Sequence, residues 1–536
     1  MRELRSTVST ALAPLGTFLA LGILLLPLYS YELSPDAISY LSISAEYAKG
    51  YWHEAINAYW GPLYSWCITP LLLLHFRGML AAKIVALLAG ALTLFGLYRL
   101  SLAFDISESC RRAFLWVSVA MVLAFAIQIN SPDLLFTAVL LLYLSIIFGS
   151  GYPQSRYGGP LCGVLGSLAY FAKSYGFFFF AAHFLLFSVF LWVLPESRLK
   201  RPQIFKHFLT GSVVFLAVSS VWVLTLHAKY GSWMLGTTGE FNHRLTGPEA
   251  AGYPHLSHLI PPASEHAITA WEDPSPAWLP AWNVLSSRSN LKHQVKIVYR
   301  DAKSLFRFWT YTTPLFGFLL LGYLVLCPNA ANRRQEWIGP ILTIALFSAG
   351  YLLITVEDRY FWLTDLLLLW IAFLSLDLLF KRYAFAAPAK TVLASAVVLS
   401  FLVNPVLILH AHHFEGRDVY RWSEQIKESG IKWGRLASCS DWQDSAYVAY
   451  VLGMPYYGEP VPDPEAKEVA LQLNPDYRPA TVATDRDQIP GILSANRIDY
   501  FIVWPSCEPI WPAMTQGAKA GSIELVPLNS GNGNPQ

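Results

Sequence analysis

Charge is the scarcest ingredient of this sequence. Asp, Glu, Lys and Arg make up 14% of 536 residues, against 54% hydrophobic, and the mean hydropathy is +0.39. Soluble globular chains carry about a quarter charged residues, so this composition excludes that class. An excess of either sign is also missing. The formal net charge is +2, which gives no electrostatic footprint for nucleic acid as a partner. Cysteine is sparse, with six residues (67, 110, 162, 327, 439 and 507) and no C-x-x-C pair, so no zinc or thiol-redox motif is present. No small-x-small cleavage site follows the first apolar run, which therefore reads as a signal anchor. No internal repeat is visible.

Aromatic residues and long apolar runs are what the chain has in quantity. Aromatics reach 15%, with 19 Trp, which suits a protein with two membrane–water interfaces. Apolar stretches fall at about 9–30, 79–103, 116–129, 134–148, 159–172, 177–194, 205–227, 306–327, 338–356, 361–380 and 390–410. They predict an α-helical polytopic membrane protein with about 11 transmembrane helices. The basic start, Met-Arg-Glu-Leu-Arg5, puts the N-terminus in the cytoplasm by the positive-inside rule. Arg111-Arg112, Arg198/Lys200/Arg201, Arg333-Arg334 and Lys381-Arg382 then all fall inside. Asp36, Asp133, Lys173, Glu357 and Arg359 all fall outside, each against an apolar span. Ionisable residues at membrane depth cost ~2.5–3.5 kcal/mol each on insertion scales, so a set of them on one face is expected to line a shared cavity, the alternative being that each only marks the end of its span.

The stretch around Asp36 has its own local logic. Ser34 can cap a helix, Pro35 suits the first helical position, and Asp36 lies in the first turn, where the helix dipole favours a carboxylate. Tyr40, Ile43 and Tyr47 follow at helical spacing and Gly50 is a stop signal. A second short helix is predicted from Pro62. From 414 the composition changes. A helix near 417–432, a strand at 435–439, a helix at 444–452 and a strand at 499–504 predict a small soluble α/β domain with a partly parallel sheet. The division is thus 1–413, transmembrane, and 414–536, extracytoplasmic.

Asp36-Ala-Ile-Ser-Tyr40, Gly50, Trp60-Gly-Pro-Leu-Tyr-Ser-Trp66, Ser131-Pro-Asp133, Ala172-Lys-Ser174 and Glu357-Asp-Arg-Tyr360 together resemble the GT-C superfamily of integral-membrane glycosyltransferases. The similar branches are the protein O-mannosyltransferases, the lipid A aminoarabinose transferases and the RgtA/B/C/D-like transferases, and the resemblance covers roughly 1–380. It implies a hexosyl or pentosyl transferase of the cell inner or plasma membrane that builds envelope glycans. Its donor would be a polyprenyl-phosphate sugar and its acceptor a lipid, glycan or protein. It implies Asp36 as catalytic base, Asp133 as a second catalytic carboxylate, and Lys173 and Arg359 at the donor phosphate. Tyr40, Glu357 and Tyr360 are supporting residues. No cofactor is implied outright, and a divalent cation stays open. The aminoarabinose branch has Lys-Pro-Pro where this chain has Trp60-Gly-Pro62, which counts against aminoarabinose as the sugar.

The chemistry suits these residue types. An acceptor hydroxyl must lose its proton as it attacks, and a carboxylate within reach takes it. Charge grows on the departing phosphate, and the planar Arg359 fork matches phosphate oxygens. The rival is a transporter or flippase of a lipid-linked glycan, which should show paired halves with broken helices. A membrane receptor with a C-terminal sensor would leave Asp36 and Arg359 unused.

Other signals are read as structural. Asp485-Arg-Asp487 is a D-x-D far along the chain, expected as a solvated turn or cap. His255, His258 and His266 lie in a proline-rich loop without a third clear metal ligand, so no metal site is assigned. The loop at 230–300 is a candidate cover for the site. Cys439 and Cys507 each follow an apolar strand. Parallel neighbouring strands would bring them within bridging distance, stabilising the domain by roughly 2–4 kcal/mol; strands apart would leave two thiols. Sequence leaves both open.

Overall fold

The computed structural model describes residues 2–256, 258–275, 279–326, 334–461, 464–477, 488–507 and 517–528. Cys327, Asn332-Arg333 and Asp485-Arg-Asp487 lie outside the described residues. Each of the eleven apolar stretches forms helix. Among the described residues seven helices are individually long and apolar enough to cross a membrane, which makes this a polytopic helical membrane protein. Asp133–Ile147 and Gly158–Ala172 are shorter, at 15 residues each. At 1.5 Å per residue that is about 22 Å, less than the ~30 Å hydrocarbon core. The shortness has a local cause: one helix begins at Asp133 and the other ends against Lys173. Asp133 and Lys173 thereby stand at the ends of two short apolar helices.

One expected span is broken. The stretch at 306–327 is the end of a helix, Arg288–Thr312, and a second helix, Phe316–Leu326, turned by 90°. Pro314 is the reason. It has no N–H to continue the helix, and it disfavours helical geometry at Thr313, whose φ and ψ are −155° and 122°. The helix Trp362–Arg382 is the centre of the bundle, buried without interruption from Trp362 to Asp377. Trp362 stacks on Phe125 at 4.7 Å, and Trp370 takes Phe104 and Phe114 edge-on at 5.0 Å each.

The C-terminal region carries the helices Arg417–Glu428 and Trp442–Leu452 and four strands: β1 (Leu436–Ser438), β2 (Tyr500–Val503), β3 (Ala518–Ala520) and β4 (Ile523–Pro527). The sheet order is β1-β2-β4-β3. β1 and β2 run parallel with Leu436 opposite Tyr500, while β4 is antiparallel to both β2 and β3. The two parallel strands deliver their following cysteines to one edge, and Cys439 and Cys507 are disulfide-bonded with Cα atoms 6.0 Å apart. This region also grips the chain just before the Asp36 helix. Tyr447 Oη donates to the Tyr31 carbonyl at 2.6 Å, and Phe414 N donates to the Leu28 carbonyl at 2.7 Å.

Candidate active site

The Asp36 helix runs Pro35–Lys49 and is built as its sequence dictates. The Ser34 hydroxyl accepts from Ala37 N at 3.3 Å, Pro35 occupies the first turn, and Gly50 closes the helix with a φ of 87°. Asp36 therefore sits in the first turn facing the bundle. The Trp60-Gly61-Pro62 element approaches from the side. A Cβ on Gly61 would overlap the carbonyls of Phe171 and Ala172, so only glycine lets the helix Pro62–Leu73 lie against the chain that presents Lys173.

Asp36, Asp133, Lys173 and Arg359 converge. Arg359 Nη2 donates to Asp36 Oδ2 at 2.5 Å, Arg359 Nε donates to Glu357 Oε2 at 2.8 Å, and the same nitrogen lies 3.9 Å from Asp133 Oδ2. Lys173 Nζ donates to Asp133 Oδ1 at 2.7 Å. Tyr360 donates its hydroxyl proton to Glu357 at 2.8 Å, and its ring face lies 3.9 Å from Lys173 Nζ. Tyr40 is buried with its ring 5.0 Å from that of Trp60; burial, then the nearby Asp36, pushes its hydroxyl well above the ordinary tyrosine value. Asp36, Asp133, Glu357, Lys173, Arg359, Tyr40 and Tyr360 all line one cavity of about 860 Å³. Asp133 and Asp36 find counter-charge in Lys173 and Arg359 respectively.

Three features of the site were missed from sequence. Trp271 Nε1 donates to Asp36 Oδ1 at 2.9 Å, so a residue of the 230–300 loop holds the other carboxylate oxygen. Its local signal was the capping box Thr269-Ala-Trp-Glu272. Glu32, 4% exposed, and Lys83, 1% exposed, form a buried ion pair at 3.2 Å behind the site. A lysine within an apolar span was the available signal. Trp442 and Gln443, at the head of a C-terminal helix, also line the cavity.

His255 and His266 have separate partners. His255 sits among rings, 5.3 Å from Trp271 and 4.6 Å from Trp442, and burial pushes its pKa down to about 3. His266 instead meets Glu54 at 3.0 Å and stacks on Tyr51. Among the described residues no group of three or more His, Cys, Asp or Glu side chains could hold a metal ion.

No family model matches the sequence, and no curated protein matches it. Solved structures do. ArnT from Cupriavidus metallidurans, bound to undecaprenyl phosphate, aligns at 14% identity with a TM-score of 0.56, covering 97% of this chain and 99% of that one. The oligosaccharyltransferase of Archaeoglobus fulgidus, in complex with Zn and sulfate, aligns at 13% identity with a TM-score of 0.56, covering 93% of this chain and 68% of that one. In its apo form the same enzyme gives 11% identity and a TM-score of 0.55. At such identities the likeness is one of fold, and it extends over the membrane bundle and the C-terminal region together: the chain has the GT-C membrane fold.

Proposed function

We propose that this protein transfers a hexose or pentose from a polyprenyl-phosphate donor to an acceptor hydroxyl on the extracytoplasmic face of the membrane. The observation that carries the reading is the pairing of Asp36 with Arg359 at 2.5 Å beside Lys173 and Asp133, in one cavity. The ArnT structure that shares this fold binds undecaprenyl phosphate, which supports a polyprenyl phosphate here. The Cys439–Cys507 disulfide supports an oxidising compartment for the C-terminal region, and so an extracytoplasmic site with a cytoplasmic N-terminus.

The donor phosphate takes the Lys173 and Arg359 end. The cavity wall there includes Phe178 and Leu353, which are also exposed on the flank of the bundle, a surface suited to a polyprenyl chain. An entering phosphate competes with Asp36 and Glu357 for the Arg359 guanidinium. As Arg359 turns to the phosphate, Asp36 is released from its ion pair and its oxygen is free to take a proton. The acceptor O–H proton then passes to Asp36, and the acceptor oxygen bonds to the anomeric carbon. The bond from that carbon to the phosphate oxygen breaks, and its electron pair leaves on the phosphate, where Arg359 and Lys173 stabilise it. Asp133 orients Lys173. A flippase would need polar groups along a path across the membrane, whereas these ion pairs surround one cavity.

Asp36→Asn tests the reading, because the change is nearly isosteric. Transfer of radiolabelled sugar from a polyprenyl-phosphate pool in membranes should fall by about 10²–10⁴-fold, the usual worth of a positioned general base, with insertion unchanged. Turnover close to wild type would remove Asp36 from the chemistry.

A further inference from the structure

Two chemically different sets of contacts start from Asp36 in the cavity lining. On one side the contacts run from Asp36 through Arg359 and Asp133 to Lys173. On the other they run through rings. Trp271 donates to Asp36, Tyr253 meets Trp271 edge-on at 5.2 Å, and His255 bridges Trp271 and Trp442 at 5.3 and 4.6 Å. Trp271, Tyr253 and Trp442 all line the cavity, and so do Asn242, Gln443 and Glu240, the last paired with Arg244. His255 is held neutral by burial and acts as a spacer ring.

We infer that this aromatic end is an acceptor subsite for a saccharide, so that the acceptor is a glycan and its hydroxyl is delivered to Asp36 from the Trp271–Trp442 side. The inference rests on the donor reading only for which end the phosphate takes. A sugar ring has apolar C–H faces that pack on indole and phenol rings. Its rim of hydroxyls needs side chains that both donate and accept, as Asn242 and Gln443 do, or accept, as Glu240 does. A polypeptide acceptor is commonly held by pairing its backbone with a strand edge. None of β1 to β4 contributes a residue to the cavity lining among the described residues. The wall consists of side chains from the loop, the short helix Thr238–Leu245 and the head of Trp442–Leu452.

Trp442 owes its place to the C-terminal region. The disulfide closes the edge at Cys439, Ser506 Oγ donates to Asp441 Oδ2 at 2.6 Å, and Asp441 turns the chain with a φ of 52° immediately before Trp442. The region is thereby part of the acceptor wall rather than an appendage.

The test uses full-length protein in lipid nanodiscs and saturation-transfer NMR, with maltotriose, lactose and a Ser/Thr-containing nonapeptide as probes. The ring C–H protons of a saccharide should receive saturation. That signal should fall about five- to tenfold in Trp442→Ala, the loss of one stacking partner, and fall in Gln443→Ala, whose side chain is exposed. Undecaprenyl phosphate affinity should stay unchanged in both. Saccharide signals insensitive to both substitutions, binding by the peptide alone, or binding by no probe would each overturn the inference. Saccharide binding that needs Trp442 in a protein with no affinity for undecaprenyl phosphate would uphold the subsite and reject the donor reading.

Discussion

Asn130 donates twice to the Glu32 carboxylate, from its backbone N at 2.9 Å and from Nδ2 at 2.7 Å. Lys83 Nζ completes the junction, reaching Glu32 at 3.2 Å and the Ile127 carbonyl at 2.9 Å. Glu32 lies four residues before Asp36 and Asn130 three before Asp133. The junction therefore ties together the two segments from which the site carboxylates project, and fixes their spacing across Arg359.

Lys83→Met should leave Glu32 buried and uncompensated and destabilise the protein by about 3–5 kcal/mol. The double variant Glu32→Gln/Lys83→Met removes both charges and should recover much of that loss. Thermal melts in detergent check this; equal losses in the single and double variants would mean that the pair contributes only shape.

Glu46 lies on the Asp36 helix and burial pushes its pKa up to about 7. Ser264 donates to it at 3.0 Å, and Glu54, Lys229, His266 and buried Glu272 are the charged and titratable groups around it. A raised carboxyl binds its proton more tightly in the folded state than in the unfolded one. Its stabilising effect is full below the usual carboxylate range and is lost as pH rises to about 7. The melting temperature should fall between pH 5 and pH 8, roughly the window of that titration, and Glu46→Gln should flatten the fall and raise stability at the upper end. An unchanged slope in Glu46→Gln would assign the titration elsewhere.

The disulfide encloses a loop with a sequence separation of 68, which is worth about 4 kcal/mol in the chain-entropy account. Cys439→Ser/Cys507→Ser should lower C-terminal stability by that order and raise protease sensitivity around 440–445. Non-reducing peptide mapping checks the bond itself: alkylatable Cys439 and Cys507 in protein taken from the membrane would contradict it.

Much of the site was legible because its residues interrupt apolar runs. Asp36, Asp133, Lys173 and Arg359 each stand where hydropathy breaks, and the insertion cost of charge gave a reason for them to meet. The Asp36 helix was legible end to end, since Ser34, Pro35 and Gly50 act within a few residues of themselves. Lys83 was missed although it stands within an apolar run, and its partner Glu32 is 51 residues away, a pairing set only by helix packing. Trp271 lies in a loop without periodicity, 235 residues from the carboxylate it serves. The break at Pro314 was available from the proline but was outweighed by the apolar run around it. β3 and β4, at three and five residues, are too short to stand out by alternation.

The cradle for a polyprenyl phosphate proposed at Arg359 and Lys173 beside Asp36 is measured directly by the affinity of purified protein for undecaprenyl phosphate. Arg359→Lys keeps the charge and loses the planar fork, so it should weaken binding by roughly tenfold, and Arg359→Lys/Lys173→Met by on the order of 10²-fold. Wild-type affinity in the double variant would contradict the account.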